Sequence, residues 1–247
     1  MRVALLADVH ANRESLAACL DDVRRLGADR LAFLGDLVGY GADPGWVVDR
    51  VREAVAPGAI AVRGNHEASV ADPAREGLHE EAQRVADWTR AQLDEPSLAF
   101  LRELPLAHEE GDVLYVHANA YAPGRWDYLA GRVEVGRSLA ATRASMTFCG
   151  HVHDPMLWTL SGTGKLGEFR PFADTPIPVP GHRQWLAVVG SAGQPRDGDP
   201  AACWALFDSA ARTLTWRRVA YDHAGAAARI RAAGLPERFA ARLETGI

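Results

Sequence analysis

Residues 2–41, RVALLADVHANRESLAACLDDVRRLGADRLAFLGDLVGYG, read as strand, loop, helix, strand and loop. Residues 3–7 are a continuous apolar run of strand length. After Asn12 the apolar residues Leu16, Leu20 and Val23 recur on one helical face until Gly27 stops the pattern. Residues 31–34 are a second apolar run. Asp43 and Pro44 then start a helix carrying Val47, Val48, Val51 and Val55, and a third run follows at 60–62. Strand alternating with helix implies a mainly parallel sheet with helices packed on it, an α/β fold. In such a sheet the strand ends bring loops from distant parts of the sequence together.

Residues 73–104 continue as a helical pattern, with Leu78, Val85, Trp88 and Leu93 apolar and Pro96 dividing it in two. A helical insert beside the strand ends is expected there. Short strands at 113–116 and 146–149 flank a helical stretch near 133–144. Past His153 the texture changes: 156–160, 185–190, 203–207 and 214–219 read as strands joined by Gly- and Pro-rich turns, which predicts a mostly antiparallel second sheet. Two short helices near 224–233 and 236–243 close the chain.

At 247 residues the chain fits a single large α/β domain, so 1–247 is expected to be one domain with its insert at about 73–104. Apolar residues make up 48% and charged residues 24%, an ordinary composition for a packed enzyme. The formal charge of −5 provides no basic stripe for a run of phosphates, which argues against stable binding of duplex nucleic acid. The tightest arginine pair, Arg217 and Arg218, is expected on a solvated face. Cys19, Cys149 and Cys203 lie far apart without a CxxC spacing, so no disulfide framework is expected. The apolar run at the start ends in an Asp and lacks a secretory h-region, and no stretch approaches a membrane span. A cytoplasmic protein acting on a small molecule is the expectation, with homo-oligomerisation left open.

Five short motifs then follow one another at strand ends: ADVH at 7–10, GDLVGYG at 35–41, GNHE at 64–67, VHAN at 116–119 and GHVH at 150–153. Five of the nine histidines, His10, His66, His117, His151 and His153, fall inside them. With Asp8, Asp36 and Asn65 they make eight nitrogen and oxygen groups, a mixed set suited to Zn, Mn or Fe. Gly35 lets backbone approach a ligand closely beside Asp36.

This ordered set resembles the calcineurin-like metallophosphoesterase superfamily, and within it the compact bacterial and archaeal phosphodiesterase branch. The resemblance implies a four-layer αββα sandwich of two mixed β-sheets flanked by helices. It implies that Asp8, His10 and His153 hold one divalent ion, that Asn65, His117 and His151 hold a second, and that Asp36 bridges the two. His66 is similar to the family's catalytic histidine, which donates a proton to the leaving oxygen or stabilises phosphoryl charge. Two divalent ions, two carboxylates and a bridging hydroxide would leave about one positive charge to attract a phosphate ester. Asn12, Arg63 and Asn119 are expected to touch substrate, with Tyr40 and Glu67 flanking the ligands. The 190–197 stretch GSAGQPRD resembles a late family loop near the metal mouth, where Gly193 and Gln194 act through their backbone.

The function expected is hydrolysis of a P–O bond in a small or nucleotide-type phosphodiester by a hydroxide held between two metals. The phosphoprotein phosphatases of the superfamily carry an arginine in their second motif, where this chain has Leu37, Val38, Gly39 and Tyr40 after Asp36. A small phosphomonoester or a dinucleoside polyphosphate is the alternative substrate. A non-catalytic scaffold of the same fold is the alternative of a different class, and such proteins tend to lose ligands that are all present here.

Overall fold

The computed structural model describes residues 1–72 and 80–247. The opening rhythm is β1 (Arg2–Leu6), α1 (Arg13–Leu26), β2 (Arg30–Phe33), α2 (Pro44–Val55) and β3 (Ile60–Ala61). α1 begins where Asn12 Oδ1 accepts the Ser15 N–H at 3.1 Å and ends at Gly27, whose φ of 68° makes the left-handed cap that glycine tolerates best. Then come α3 (Asn65–Ala71), α4 (Glu80–Ala91) and α5 (Glu95–Glu103). Pro96 does divide the helical stretch: it sits in the first turn of α5, behind an Asp94 cap that accepts the Ser97 N–H at 2.9 Å. The start of the expected insert, including Pro73 and Leu78, lies outside the described residues.

The remaining elements are β4 (Ala107–Glu110), β5 (Val113–Val116), α6 (Arg132–Ala140), β6 (Met146–Cys149), β7 (Met156–Leu160), β8 (Leu166–Phe169), β9 (Ile177–Pro178), β10 (Gln184–Val188), β11 (Ala202–Asp208), β12 (Thr213–Val219), α7 (His223–Ala232) and α8 (Glu237–Thr245). They build two mixed six-stranded sheets, ordered β3-β2-β1-β11-β12-β9 and β4-β5-β6-β10-β7-β8. The late strands therefore do not assemble a second sheet of their own, as their texture suggested. β11 pairs antiparallel with β1, while β10 pairs parallel with β6 and antiparallel with β7. Alternation and turn residues report that a segment is a strand, but the partner is chosen by which buried edge is still unpaired.

The period of two along each strand separates the layers. Val3, Leu5 and Ala7 turn toward the other sheet and pack with Tyr115, Phe148, Trp185 and Phe207. Ala4 and Leu6 turn outward against Leu16, Val47, Val48 and Val51 of α1 and α2. Leu186 and Val188 face Val135 and Leu139 of α6 on the far side. Helices, sheet, sheet and helix are the four layers, and the parallel strands β1, β2, β5 and β6 all end toward one cleft. No helix among the described residues is long and apolar enough to cross a membrane.

Arg217 and Arg218 are not on a solvated face. Their side chains are 16% and 18% exposed and ion-paired, Arg217 Nε with Asp22 Oδ2 at 3.1 Å and Arg218 with Asp197. Their strand has one side against α1 and the 190–197 loop, and carboxylates there meet the guanidiniums. Asp22, 6% exposed, also accepts the Trp204 indole N–H at 3.2 Å. Asp22→Ala leaves the Trp204 indole N–H without its acceptor and removes the buried carboxylate shared by Arg217 and Arg25, Arg217 keeping only Asp174. We expect a loss of about 3 kcal/mol in urea unfolding, and an unchanged unfolding midpoint would contradict the role given to this carboxylate.

Candidate metal centre

Each motif reaches the cleft by the same local device, an apolar strand that ends in a turn. The turn residues are strained. Among the described residues ten non-glycine positions have positive φ, and eight of them lie here: Asp8, His10, Ala11, Asp36, Tyr40, Trp126, His151 and His153, with φ between 50° and 67°. A left-handed backbone costs an L residue about 1–3 kcal/mol, and it persists only where the surroundings hold it. Glycines make room between them. A side chain on Gly39 would run into the His66 ring, and one on Gly150 would run into the Asp8 carboxylate.

The strain turns lone pairs toward one another. Four imidazoles give one ring nitrogen to a backbone carbonyl: His10 Nδ1 to Val38 O at 3.3 Å, His117 Nδ1 to Leu34 O at 2.7 Å, His151 Nε2 to Trp126 O at 2.9 Å and His153 Nδ1 to Gln194 O at 2.6 Å. A carbonyl only accepts, so each of those nitrogens carries the ring proton, and in the neutral ring the other nitrogen is bare. The bare nitrogens converge. His10 Nε2 is 3.1 Å from His153 Nε2, which is 3.3 Å from Asp8 Oδ1. His117 Nε2 is 3.1 Å from both His151 Nδ1 and Asn65 Oδ1, and 3.3 Å from Asp36 Oδ2. Asp36 Oδ2 is also 3.9 Å from His10 Nε2, so it stands between the two clusters. Acceptors this close repel unless a cation lies among them, and an imidazole fixed by a carbonyl on its other nitrogen is the usual posture of a metal ligand.

Burial sets the charge states. It pushes His10 well below its ordinary value and His151 down to about 4, so both rings stay neutral, the form that ligates. Burial also works against a charged His117, but the Asp36 carboxylate and its hydrogen bond outweigh it and lift that ring to about 9. The Asp36 carboxyl in turn lies well below the ordinary range, because His117 and His66 overcome the burial that opposes its charge. A proton on His117 thus takes the place that a metal cation would claim, and binding a cation there expels it.

His66 belongs to neither of these two clusters, although its ring nitrogen, His10 and Asp36 also offer ligand atoms within 4.8 Å of one another. Its Nε2 is 4.0 Å from Asp36 Oδ2, its side chain is 16% exposed, and its ring packs edge-on against His10 and Tyr40. It is the most open imidazole of the set, at the cleft side of the acceptors. The residues expected to touch substrate are engaged elsewhere. Asn12 caps α1 and donates to Gly193 O at 2.7 Å; Asn119 donates to Asp127 O at 3.0 Å and accepts from Ala122 N at 2.8 Å; Arg63 ion-pairs with Asp72 at 2.8 Å. All three hold loops, and short polar side chains beside turns generally do so. Gln194 acts through its backbone as anticipated, by accepting from His153.

Residues outside the motifs complete the mouth. Tyr128, 54% exposed, lies nearly parallel on His151 with ring centroids 4.1 Å apart. Arg196 and Arg242 stand near Tyr40. A run such as Trp126, Asp127 and Tyr128 in a loop is a usable signal for exposed aromatics beside a site, whereas nothing marks Arg242 among the many arginines of the chain.

Comparison with known proteins agrees with this geometry. Residues 1–212 match the calcineurin-like phosphoesterase superfamily domain. An uncharacterized protein of Methanocaldococcus jannaschii is 31% identical over 249 residues, spanning 99% of this chain and 98% of that one. The crystal structure of a metallophosphoesterase from Sphaerobacter thermophilus superposes with a TM-score of 0.88 at 32% identity, covering 100% of this chain and 99% of the other. A hypothetical protein from Pyrococcus horikoshii shares the fold, with a TM-score of 0.80 at 18% identity over 100% of this chain and 98% of its own. The chain belongs to the calcineurin-like phosphoesterase superfamily, whose members are metallophosphoesterases using divalent ions.

Glu67 is the residue on which the geometry of Asp36 turns. It is fully buried, and its two oxygens accept four backbone N–H groups: Asp36 and Gly64 at 2.8 and 2.7 Å on Oε2, Leu37 and Val38 at 2.7 and 3.3 Å on Oε1. Burial and the Asp36 charge push its carboxyl up to about 7, while those N–H groups pull the other way. Glu67→Gln puts an amide donor against at least one pair of these N–H groups. Leaving two buried donors unmatched is expected to cost about 3 kcal/mol in chemical unfolding. Wild-type stability in that variant would mean that the carboxylate does not hold the two loops together.

Proposed function

We propose that this protein is a metal-dependent phosphodiesterase that hydrolyses a P–O bond of a small or nucleotide-type phosphoester. The observation that carries the reading is the convergence of bare acceptor atoms in two clusters that share Asp36. Asp8, His10 and His153 would hold one divalent ion, Asn65, His117 and His151 the other, with Asp36 common to both. Mn, Zn and Fe all suit this mixed nitrogen and oxygen set. Such ions supply Lewis-acid charge and a water of lowered pKa when bound.

The chain's own groups do the rest. The carbonyls of Val38, Leu34, Trp126 and Gln194 fix which nitrogen of each ligand ring is bare. His66 faces the cleft beside the acceptors and is placed to give a hydrogen bond or a proton to the leaving oxygen. Its backbone N–H is donated to Asp36 Oδ1 at 2.9 Å, which keeps ligand and catalyst in register.

Two features favour a diester over a monoester. Leu37 and Val38, which follow Asp36, are fully buried, so this motif offers no guanidinium to the second charge of a monoester. A cavity of about 170 Å³ beside His66, lined by Val70, Val85, Ala86 and Phe239 together with Asn65, Ser69 and Arg238, leaves space for a second ester substituent. The exposed face of Tyr128 suits an aromatic or nucleoside group.

The test pairs kinetics with metal analysis. With Mn added, bis(p-nitrophenyl) phosphate should be turned over with a higher kcat/KM than p-nitrophenyl phosphate, and the opposite order would overturn the diester reading. Asp36→Asn should lower the bound metal at both sites. His66→Ala should retain metal and lose about 100-fold or more in kcat; loss of metal in that variant would show that His66 is a ligand rather than a catalyst. Wild-type protein that binds no divalent ion would sink the whole assignment.

A further inference from the structure

Two arginines at the rim of the metal centre are left without a carboxylate. Arg196 follows Gln194 and Pro195 on the loop that serves His153. Its Nη2 donates to Gln194 Oε1 at 3.0 Å, its Cζ lies 5.8 Å from the Tyr40 ring, and its Nε is buried with no hydrogen-bond partner. The carboxylate next to it in sequence, Asp197, is taken by Arg218. Arg242 is half-buried on α8, and among the described residues no hydrogen bond or ion pair engages its guanidinium. Arg238, one turn earlier on the same helix, is by contrast paired with Glu81.

The two cations share one corner of the mouth. Burial holds the Arg242 guanidinium below its ordinary range, and the charge of Arg196 pushes in the same direction. Tyr40 links this corner to the reacting centre: its ring is 4.4 Å from the His66 ring and 4.6 Å from that of Phe239, three residues before Arg242. Like charges that are partly desolvated and lack a carboxylate partner oppose folding. Such a pair is completed by an anion, and guanidinium forks match the oxygens of a phosphate better than any other common anion of this size.

We propose that Arg196 and Arg242 form a phosphate subsite at the rim, so that the preferred substrates carry a second phosphate next to the ester held at the metals. Nucleoside diphosphates and longer polyphosphate esters belong to that class; simple monophosphate esters do not. The proposal rests on the phosphoesterase reading for the identity of the group at the metals, but its test does not depend on turnover.

The experiment is calorimetric titration of the full-length protein, saturated with Mn, with ADP and with AMP. ADP should bind about tenfold or more tightly than AMP, the scale of one charge-assisted contact. That ratio should collapse toward one in Arg196→Ala and Arg242→Ala, and stay as in wild type in Arg24→Ala, an exposed arginine of α1. Arg242→Lys, which keeps the charge and stem and guards against a folding defect, should give an intermediate ratio. A ratio that survives both alanine substitutions, or one that falls equally in Arg24→Ala, overturns the subsite and leaves the phosphodiesterase reading intact. Arginine-dependent ADP preference in a protein that hydrolyses no phosphoester would do the reverse.

Discussion

Nitrogen and oxygen atoms held about 3 Å apart at the strand ends are the constraint on which the rest of this structure depends. Left to itself each pair would separate or recruit a proton, and His117, lifted to about 9 beside Asp36, does the latter. Turning five of the expected ligands inward takes left-handed backbone at each of them, Asp8, His10, Asp36, His151 and His153. At about 1 kcal/mol or more per residue, that strain is comparable to a large fraction of a domain's net stability. The surroundings must therefore fix these turns from several directions.

They do so with backbone rather than side-chain partners. Four N–H groups close on Glu67, which joins the loop after β2 to the start of α3. Four carbonyls hold the four ligand imidazoles from behind. The 190–197 loop is fastened at both faces, by Asn12 on Gly193 and by Arg218 on Asp197. Each fastening is anchored to a strand in the middle of a sheet, where β1 has neighbours on both sides and is buried along nearly its whole length. The two-sheet core is what makes it feasible to store strain at its edge.

This division explains what the sequence could disclose. The groups that converge were legible because metal chemistry admits few residue types, and because an apolar run ending in Asp or His is an unusual way to finish a strand. The helices of the first half were legible from period and caps, with Asn12 and Gly27 where the pattern placed them. The sheet partition was not, since β11 reads as an apolar run like any other buried strand and only the folded edge of β1 decides where it pairs. β4, with its AHEE sequence, carries no apolar alternation at all. The carbonyls behind the histidines were beyond reach for a simpler reason: every residue has one, so composition cannot mark those that matter. The loop contacts of Asn12, Arg63 and Asn119 were not marked by the sequence, because these residues flank the motifs and a strained turn is itself reason enough for a polar side chain.

The same division bears on where specificity can arise. The centre is tied so tightly to the sheet ends that its side chains have little freedom to vary without releasing the strain, so it defines a reaction and leaves the substrate open. The rim is built differently. α4 and α8 wall the cavity beside His66, and α8 brings Arg238 and Phe239 to it, with Arg242 near Tyr40. α8 begins at Glu237, beyond residue 212 where the match to the superfamily domain ends. A helix beyond that match, packed mainly on α7, can change its side chains without disturbing the turns that hold the candidate ligands. Substrate class is therefore more readily encoded on α8 than in any of the five motifs, and a pair of unpaired guanidiniums is the most economical way to encode it: each raises the affinity for an additional phosphate while leaving the lone pairs of the centre as they are.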